Sequence, residues 1–229
     1  LARGLGTYLG AMTEVVQAHR GTVLQYIGDA VMAIWGAPLD DADHALRACE
    51  AALDCQRLVD RLEASGHPLR VLHTRVGIHT ARVAVGHFGT EQRLTYTALG
   101  DGVNLAARLE SINKAYGTSV LVSGVTWDRV KGHFEGRRID RVAVRGKAVA
   151  TWLVELLGPR GAVSEDVLQA ARAYEAAWER YAAGAFEQAA AAFEALGEDR
   201  AAQVLAARCR ELAKRPPQGW DGVHVMRHK

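Results

Sequence analysis

The chain has 229 residues, 49% of them apolar and 24% charged, enough for one good-sized domain plus an appendage and too apolar for disorder. The formal net charge of +2, with no dense Lys/Arg run, excludes an electrostatic case for nucleic acid. No run of about 18 apolar residues exists to span a membrane, there is no signal peptide, and Cys49, Cys55 and Cys209 lack metal-ligand spacing, which points to idle thiols in a reducing, cytoplasmic compartment.

Leu5, Leu9, Met12, Val15 and Val16 recur at helical spacing, which predicts an amphipathic helix over residues 2–19, closed near Gly21. Because Leu1 is not Met and already lies inside that pattern, the parent protein is expected to continue upstream. Thr22 to Ile27 and Ala30 to Trp35 are short apolar runs around Gly28-Asp29, the pattern of a hairpin. Asp41 to Glu63 reads as a long helix with Ala45, Leu46, Cys49, Ala52, Leu53, Leu58 and Leu62 inward.

Leu72, Val76 and Ile78 alternate with Val71, Arg75 and His79 as in a strand, and Arg82 to Val85 reads as another, ending at Gly86. Residues 87–100 read as strand and loop. Asn104 to Ala115 is a predicted helix with Leu105, Leu109 and Ile112 as its core stripe. Val120 to Val122 is a short strand and Gly124 to Val130 a short helix. Arg138 to Val144 and Ala150 to Leu156 are strands joined through Arg145-Gly146-Lys147. Interleaved helices and strands with hairpin connections favour an α+β sandwich on a mostly antiparallel sheet.

Gly158-Pro159-Arg160-Gly161 marks a boundary. Beyond it Val167, Ala171, Tyr174, Trp178 and Tyr181 define one helix, Phe186, Ala189 and Phe193 a second, and Val204, Leu205 and Leu212 a third, stopped by Pro216-Pro217. One or two helical-repeat units are too few for a free solenoid, so this tail is expected to pack on the main domain.

Chemistry concentrates at a few positions. Asp29 on a tight turn aims a carboxylate outward, as a divalent metal on a phosphate requires, although Gly-Asp is also a common turn dipeptide and the turn alone favours that reading. Asn104 and Arg108 share one helix face near its N-terminus, which gives either an anion site or a solvated face. Arg82 and Arg145, at strand ends, could clamp a polyphosphate, although on their own they read as ordinary surface arginines. His44, His67, His73, His79 and His87 show no metal spacing, and Trp35, Trp127 and Trp178 are expected in the core. There is no Gly-rich phosphate loop and no G-x-S-x-G elbow.

Three segments, YIGDAVMAIWGAP, VGIHTARVAVGHFGTEQRLTYTALGDGVNLAARLE and VRGKAVATWLVEL, resemble in order and spacing the class III adenylyl/guanylyl cyclase catalytic domain over residues 1–157. Residues 163–229 look like a helical, TPR-like extension seen after some bacterial members. The resemblance implies a ferredoxin-like core, a head-to-tail homodimer with active sites between subunits, and attack of the ribose 3′-oxygen on the α-phosphate of ATP. It further implies two Mg²⁺ or Mn²⁺ ions per site, Asp29 at one of two metal aspartates, Asn104 on the ribose, Arg108 on the α-phosphoryl group, and Arg82 and Arg145 on the outer phosphates. Gln25 and Thr97 stand at the base-reading positions. Gln serves either purine edge, and Thr97 favours adenine.

The sequence departs from the family pattern in three ways. The other metal aspartate and its central strand lie before residue 2 in the family and are not in this sequence; Ala81 replaces a glycine at a turn expected to need unusual φ/ψ; and Gln25 carries no charge. The alternative to an active cyclase is a catalytically inactive dimerisation or nucleotide-sensing module, against which the joint presence of Asp29, Asn104 and Arg108 argues. A helical adaptor built on the tail alone explains only residues after about 160.

Overall fold

A computed structural model describes residues 2–64, 73–144 and 150–226. The first helix, α1 (Ala2–Ala18), leads into a hairpin of β1 (Thr22–Ile27) and β2 (Ala30–Ile34) and then α2 (His44–Ala64). Next come β3 (Val76–Ile78), a second hairpin of β4 (Ala84–Thr90) and β5 (Arg93–Leu99), α3 (Asp101–Tyr116), β6 (Val120–Ser123) and α4 (Gly124–Val130). Two long strands follow, β7 (Phe134–Val144) and β8 (Thr151–Pro159), then α5 (Glu165–Ala182), α6 (Phe186–Glu194), α7 (Arg200–Lys214) and β9 (His224–Met226).

The main sheet runs β3-β6-β8-β7-β9. Its long central pairings, β6 with β8 and β8 with β7, are antiparallel, while the short edge strands β3 and β9 pair parallel to β6 and β7. Both hairpins are antiparallel, so the α+β architecture on a mostly antiparallel framework is the one observed.

One face of the sheet packs on α2 and α4, where Ala45, Cys49 and Ala52 meet Val120, Val122, Val130, Phe134 and Val154. The other face is covered by α3 and by the helices of the extension. Leu109, Ile112, Leu121, Ile139, Val142 and Leu153 form one cluster with Tyr174, Trp178, Tyr181, Phe193 and Leu205. At about 25 cal/mol per Å² of apolar surface, such a shared layer is a first-order contribution to stability. A third cluster joins α1 to α2 through Tyr8, Met12, Cys55 and Val59. All three cysteines are free and buried, and burial, first among several causes, lifts their thiols to about 12 (Cys49) and about 11 (Cys55 and Cys209).

Several elements differ from their sequence-based limits. β7 starts at Phe134, not Arg138, because Phe134 pairs with Pro159 and carries β8 past the turn formers at Gly158. The strand expected at Arg82 starts at Ala84 and continues as one arm of a long hairpin to Thr90. α2 starts at His44 because Asp41 turns the chain ahead of it, accepting from the Asp43 amide at 2.9 Å and from Arg47 Nε at 2.8 Å. Val167 is exposed, and Trp35 and Trp127 are half-buried rather than core. The short strand β9 has no counterpart in the sequence reading. Val71, Leu72 and His67 lie outside the described residues.

The β7 strand contains a bulge between Arg138 and Asp140. Ile139 and Asp140, the residues at this irregularity, are both fully buried. The bulge frees backbone groups that the extension satisfies: Glu175 Oε1 accepts from the Arg138 amide at 2.8 Å and Tyr174 donates to the Ile139 carbonyl at 2.9 Å.

Candidate active site

The β1–β2 hairpin closes through the two-residue turn Gly28-Asp29, with Ile27 paired to Ala30. Gly28 has φ of 64°, the left-handed conformation such turns demand. Asp29 is exposed at the tip. Burial pushes the Tyr8 phenol of α1 above its ordinary value, a bond with Thr74 opposes this, and the charges of Cys55 and Asp29 add to the rise. A bulge between Val23 and Gln25 sets Gln25 opposite Met32, whose sulfur accepts from Gln25 Nε2 at 3.6 Å.

In the β4–β5 hairpin Thr97 pairs with Gly86 and is half-buried. β1 packs beside β5, so Gln25 and Thr97 stand on neighbouring strands. Arg82 is exposed in the segment ahead of β4. Arg145 lies outside the described residues.

α3 begins directly after β5. Its N-cap is Gly100, which supplies no side-chain bond to the first-turn amides. Asn104 and Arg108 are exposed one turn apart, while Leu105, Leu109 and Ile112 are buried. Among the described residues, Asp29, Arg82, Asn104 and Arg108 carry no side-chain hydrogen bond or ion pair within the chain. Ala81 does not occupy a positive-φ conformation, contrary to the expectation of a strained turn. Its methyl instead lies against Gly102 in the first turn of α3, where a Cβ on Gly102 would stand 2.6 Å from it.

The position of α3 is set at its middle and at its far end. A Cβ on Gly77 of β3 would fall 2.2 Å from the Glu110 amide nitrogen and 2.4 Å from the Ala106 carbonyl oxygen, so the helix backbone rests directly on the strand backbone there. Asn113, fully buried, donates from Nδ2 to the Val76 carbonyl at 3.0 Å and accepts from Thr118 at 2.8 Å. At the far end Tyr116 donates to Asp140 Oδ2 at 2.6 Å and accepts from Arg208 Nη2 at 2.9 Å. Arg208 Nη1 donates to Asp140 Oδ2 at 2.5 Å and to the Tyr181 hydroxyl at 3.2 Å. Asp140 is fully buried and Arg208 only 15% exposed. Burial pushes the Tyr116 phenol well up and lifts that of Tyr181 to about 12.

The sequence reading missed this buried group. Its faint signals were an Asp among the β-branched residues of β7 and an Arg in the apolar stripe of α7 between Leu205 and Leu212. Of the histidines, His79 Nδ1 bonds Ser123 Oγ at 2.8 Å and His87 packs edge-on against Tyr96.

The described residues hold no group of three or more His, Cys, Asp or Glu side chains placed to grip a metal ion. Asp29 offers a single exposed carboxylate. That suits a hard cation such as Mg²⁺, which binds through one or two carboxylates together with substrate phosphates rather than in an all-protein cage.

The family described as adenylate and guanylate cyclase catalytic domain matches residues 1–156. The chain is 42% identical over 165 residues to adenylate cyclase 1 of Rhizobium meliloti (strain 1021), covering 70% of this chain and 24% of that protein. It therefore spans about a quarter of the length of that curated relative. Among solved structures, the adenylyl cyclase CyaB from P. aeruginosa superposes with a TM-score of 0.62 at 26% identity, over 72% of this chain and 85% of that one. The guanylyl cyclase Cya2 gives a TM-score of 0.58 at 28% identity, over 70% and 82%.

Proposed function

Because the chain belongs to the class III adenylyl and guanylyl cyclase catalytic-domain family, we propose that it converts ATP to 3′,5′-cyclic AMP and pyrophosphate, as a homodimer with its active sites between subunits. The observation that carries this reading is the Asn104/Arg108 pair: an amide and a guanidinium one turn apart on the exposed face of α3, without a partner among the described residues.

In this reaction the ribose 3′-oxygen attacks the α-phosphorus, the bond from that phosphorus to the bridging oxygen breaks, and pyrophosphate leaves. Asn104 holds the ribose so that its 3′-oxygen faces the phosphorus. Arg108 donates to the α-phosphoryl oxygens, where negative charge accumulates in the transition state. Arg82 and Arg145 bind the outer phosphates and hold the leaving group in line. Asp29 would hold a divalent cation, and Mg²⁺ or Mn²⁺, when bound, would supply Lewis acidity and neutralise the phosphate charge. Gln25 and Thr97 read the base. Thr97 and the 42% identity to an adenylate cyclase favour adenine over guanine.

The test is direct. The purified full-length protein, with Mn²⁺ or Mg²⁺, is given ATP or GTP, and cyclic nucleotide and pyrophosphate are quantified. The expected result is cyclic AMP and pyrophosphate in equal amounts, a lower turnover of GTP, and activity per subunit that falls on dilution as the dimer dissociates. Absence of cyclic product from either nucleotide would overturn the reading, and a preference for GTP would overturn its base assignment.

A further inference from the structure

We propose that the helical extension is a working part of the cyclase site, and that Arg208 of α7 is a positioning residue that sets the placement of Asn104 and Arg108 through Tyr116. The functional part of this inference rests on the cyclase reading above.

The argument starts from how α3 is held. Its backbone sits on Gly77 between Ala106 and Glu110, and Asn113 ties it to Val76. These contacts fix the middle of the helix against β3. A rod held near its middle still tilts, and a tilt moves its two ends in opposite directions. Arg108 stands over the contact itself, Asn104 lies toward one end of the helix and Tyr116 toward the other, about 18 Å from Asn104 at 1.5 Å per residue. What holds Tyr116 therefore sets the tilt of the helix, which shifts Asn104 and turns Arg108 about the contact.

Tyr116 is held by groups of separate origin. Asp140 belongs to the bulged strand β7, and Arg208 comes from α7, 92 residues later in the chain. The Arg208 guanidinium binds Asp140, the Tyr116 hydroxyl and the Tyr181 hydroxyl at once. Its planar fork is suited to this, whereas a lysine ammonium on a flexible stem is not. Asp140 has no exposed surface, so its charge depends on Arg208 for compensation. Two further links brace the extension on the same strands: Arg137 bridges Glu155 and Asp199, and Arg138 binds Glu175. The extension thus acts on α3 as an anchored body, and in a catalytic arrangement a misplacement of about 1 Å costs on the order of 10²-fold in rate.

The experiment uses the full-length protein with Tyr116→Phe, Arg208→Lys, the double variant, and Arg210→Gln as a control. Tyr116→Phe removes one hydroxyl and leaves the Asp140–Arg208 pair intact. Arg210→Gln breaks an exposed pair with Glu194 on the same helix as Arg208. Hydrogen exchange of the α3 amides over Asp101–Arg108 is measured for each, with kcat and KM for ATP well below each variant's Tm. The expected result is exchange about tenfold faster in that segment and kcat about tenfold lower, the scale of one lost buried hydrogen bond, with KM within about twofold. The double variant should be no worse than the worse single, since both break one link. Arg210→Gln should match the parent.

Unchanged exchange over Asp101–Arg108 overturns the proposal whatever the turnover. So does faster exchange with unaltered kcat in an active parent, an equal acceleration across the whole chain, or an equal effect of Arg210→Gln. If the parent makes no cyclic product the functional reading fails, and exchange alone decides: acceleration confined to α3 supports the anchoring and its absence overturns it.

Discussion

Tyr174 donates its phenolic hydrogen to the Ile139 carbonyl at 2.9 Å, which places a hydroxyl from the first helix of the extension on the bulge of a central strand. Burial pushes that phenol well above its ordinary value, so it keeps its proton and remains a donor. The bond is one of several through which the extension completes the sheet.

Removal of the extension is therefore predicted to ruin the catalytic domain. A chain ending at Ala162 would expose Ile139, Val142 and Leu153 and leave Asp140 without Arg208. Loss of one partner of a buried pair alone costs about 3–5 kcal/mol. The expected outcome is an insoluble product, or a soluble one that binds ANS and lacks a cooperative melt. A truncated protein with the parent's Tm would contradict the shared core.

On the cyclase reading, Asn104→Ala and Arg108→Ala should each lower turnover by on the order of 10²-fold or more, the effect of losing one donor to a transition state. Both side chains are exposed and unpartnered among the described residues, so the melting temperatures should stay within about 1–2 °C of the parent. Steady-state rates and thermal melts on the same samples check both halves. Full activity in both variants would remove these residues from the mechanism.

Gly77→Ala tests the backbone contact under α3. The added methyl would lie 2.2 Å and 2.4 Å from backbone atoms of Glu110 and Ala106, neither of which moves without the helix. The expected cost is about 1–3 kcal/mol, the usual scale of overpacking, seen as a lower Tm and a fall in turnover. A variant with unchanged Tm would show that the strand and helix separate easily at this point.

Acid should loosen the α1–α2 junction. Burial tends to raise the Asp54 carboxyl, but bonds with His19 and Arg57 outweigh it and hold it below its ordinary value. A native value below the unfolded one contributes stability above the unfolded value, about pH 3.9, and that contribution is lost as pH falls through the native value. Asp54→Asn should therefore lower Tm at neutral pH and converge with the parent in strong acid. Melts as a function of pH read this out, and a gap between the two that is independent of pH would refute it.

The hairpin at Gly28-Asp29, the short helix over Gly124–Val130 and the core stripe of α3 were legible because local pattern and tertiary environment agree there. β7 was read short because Glu135, Arg137 and Arg138 interrupt its apolar run; Arg137 and Arg138 are engaged by Glu155, Asp199, Glu175 and Glu179, which no local window contains. The bulge at Ile139 breaks the alternation that defines a strand in sequence. β9 is three residues in a turn-rich segment and exists only because β7 offers it an edge. For the site, Asp29, Asn104 and Arg108 could be located from turn and helix signals, but in isolation Asp29 read better as an ordinary turn residue and Asn104 and Arg108 read as well as a solvated helix face. Their meaning came from three motifs occurring in order. Arg208 and Asp140 were invisible because nothing in sequence relates positions 68 apart.

The link between Tyr116 and Arg208 also bears on how the protein is made. A ribosome delivers Tyr116 long before Arg208, and until α7 has emerged, Asp140 lacks its Arg208 partner and the cluster on that face of the sheet lacks Leu205. The nascent cyclase domain is thus incomplete through much of its own translation, open to chaperones and proteases, and it reaches its working shape only when the helices that follow it are synthesised. On the cyclase reading, activity is in this way made contingent on translation through the extension.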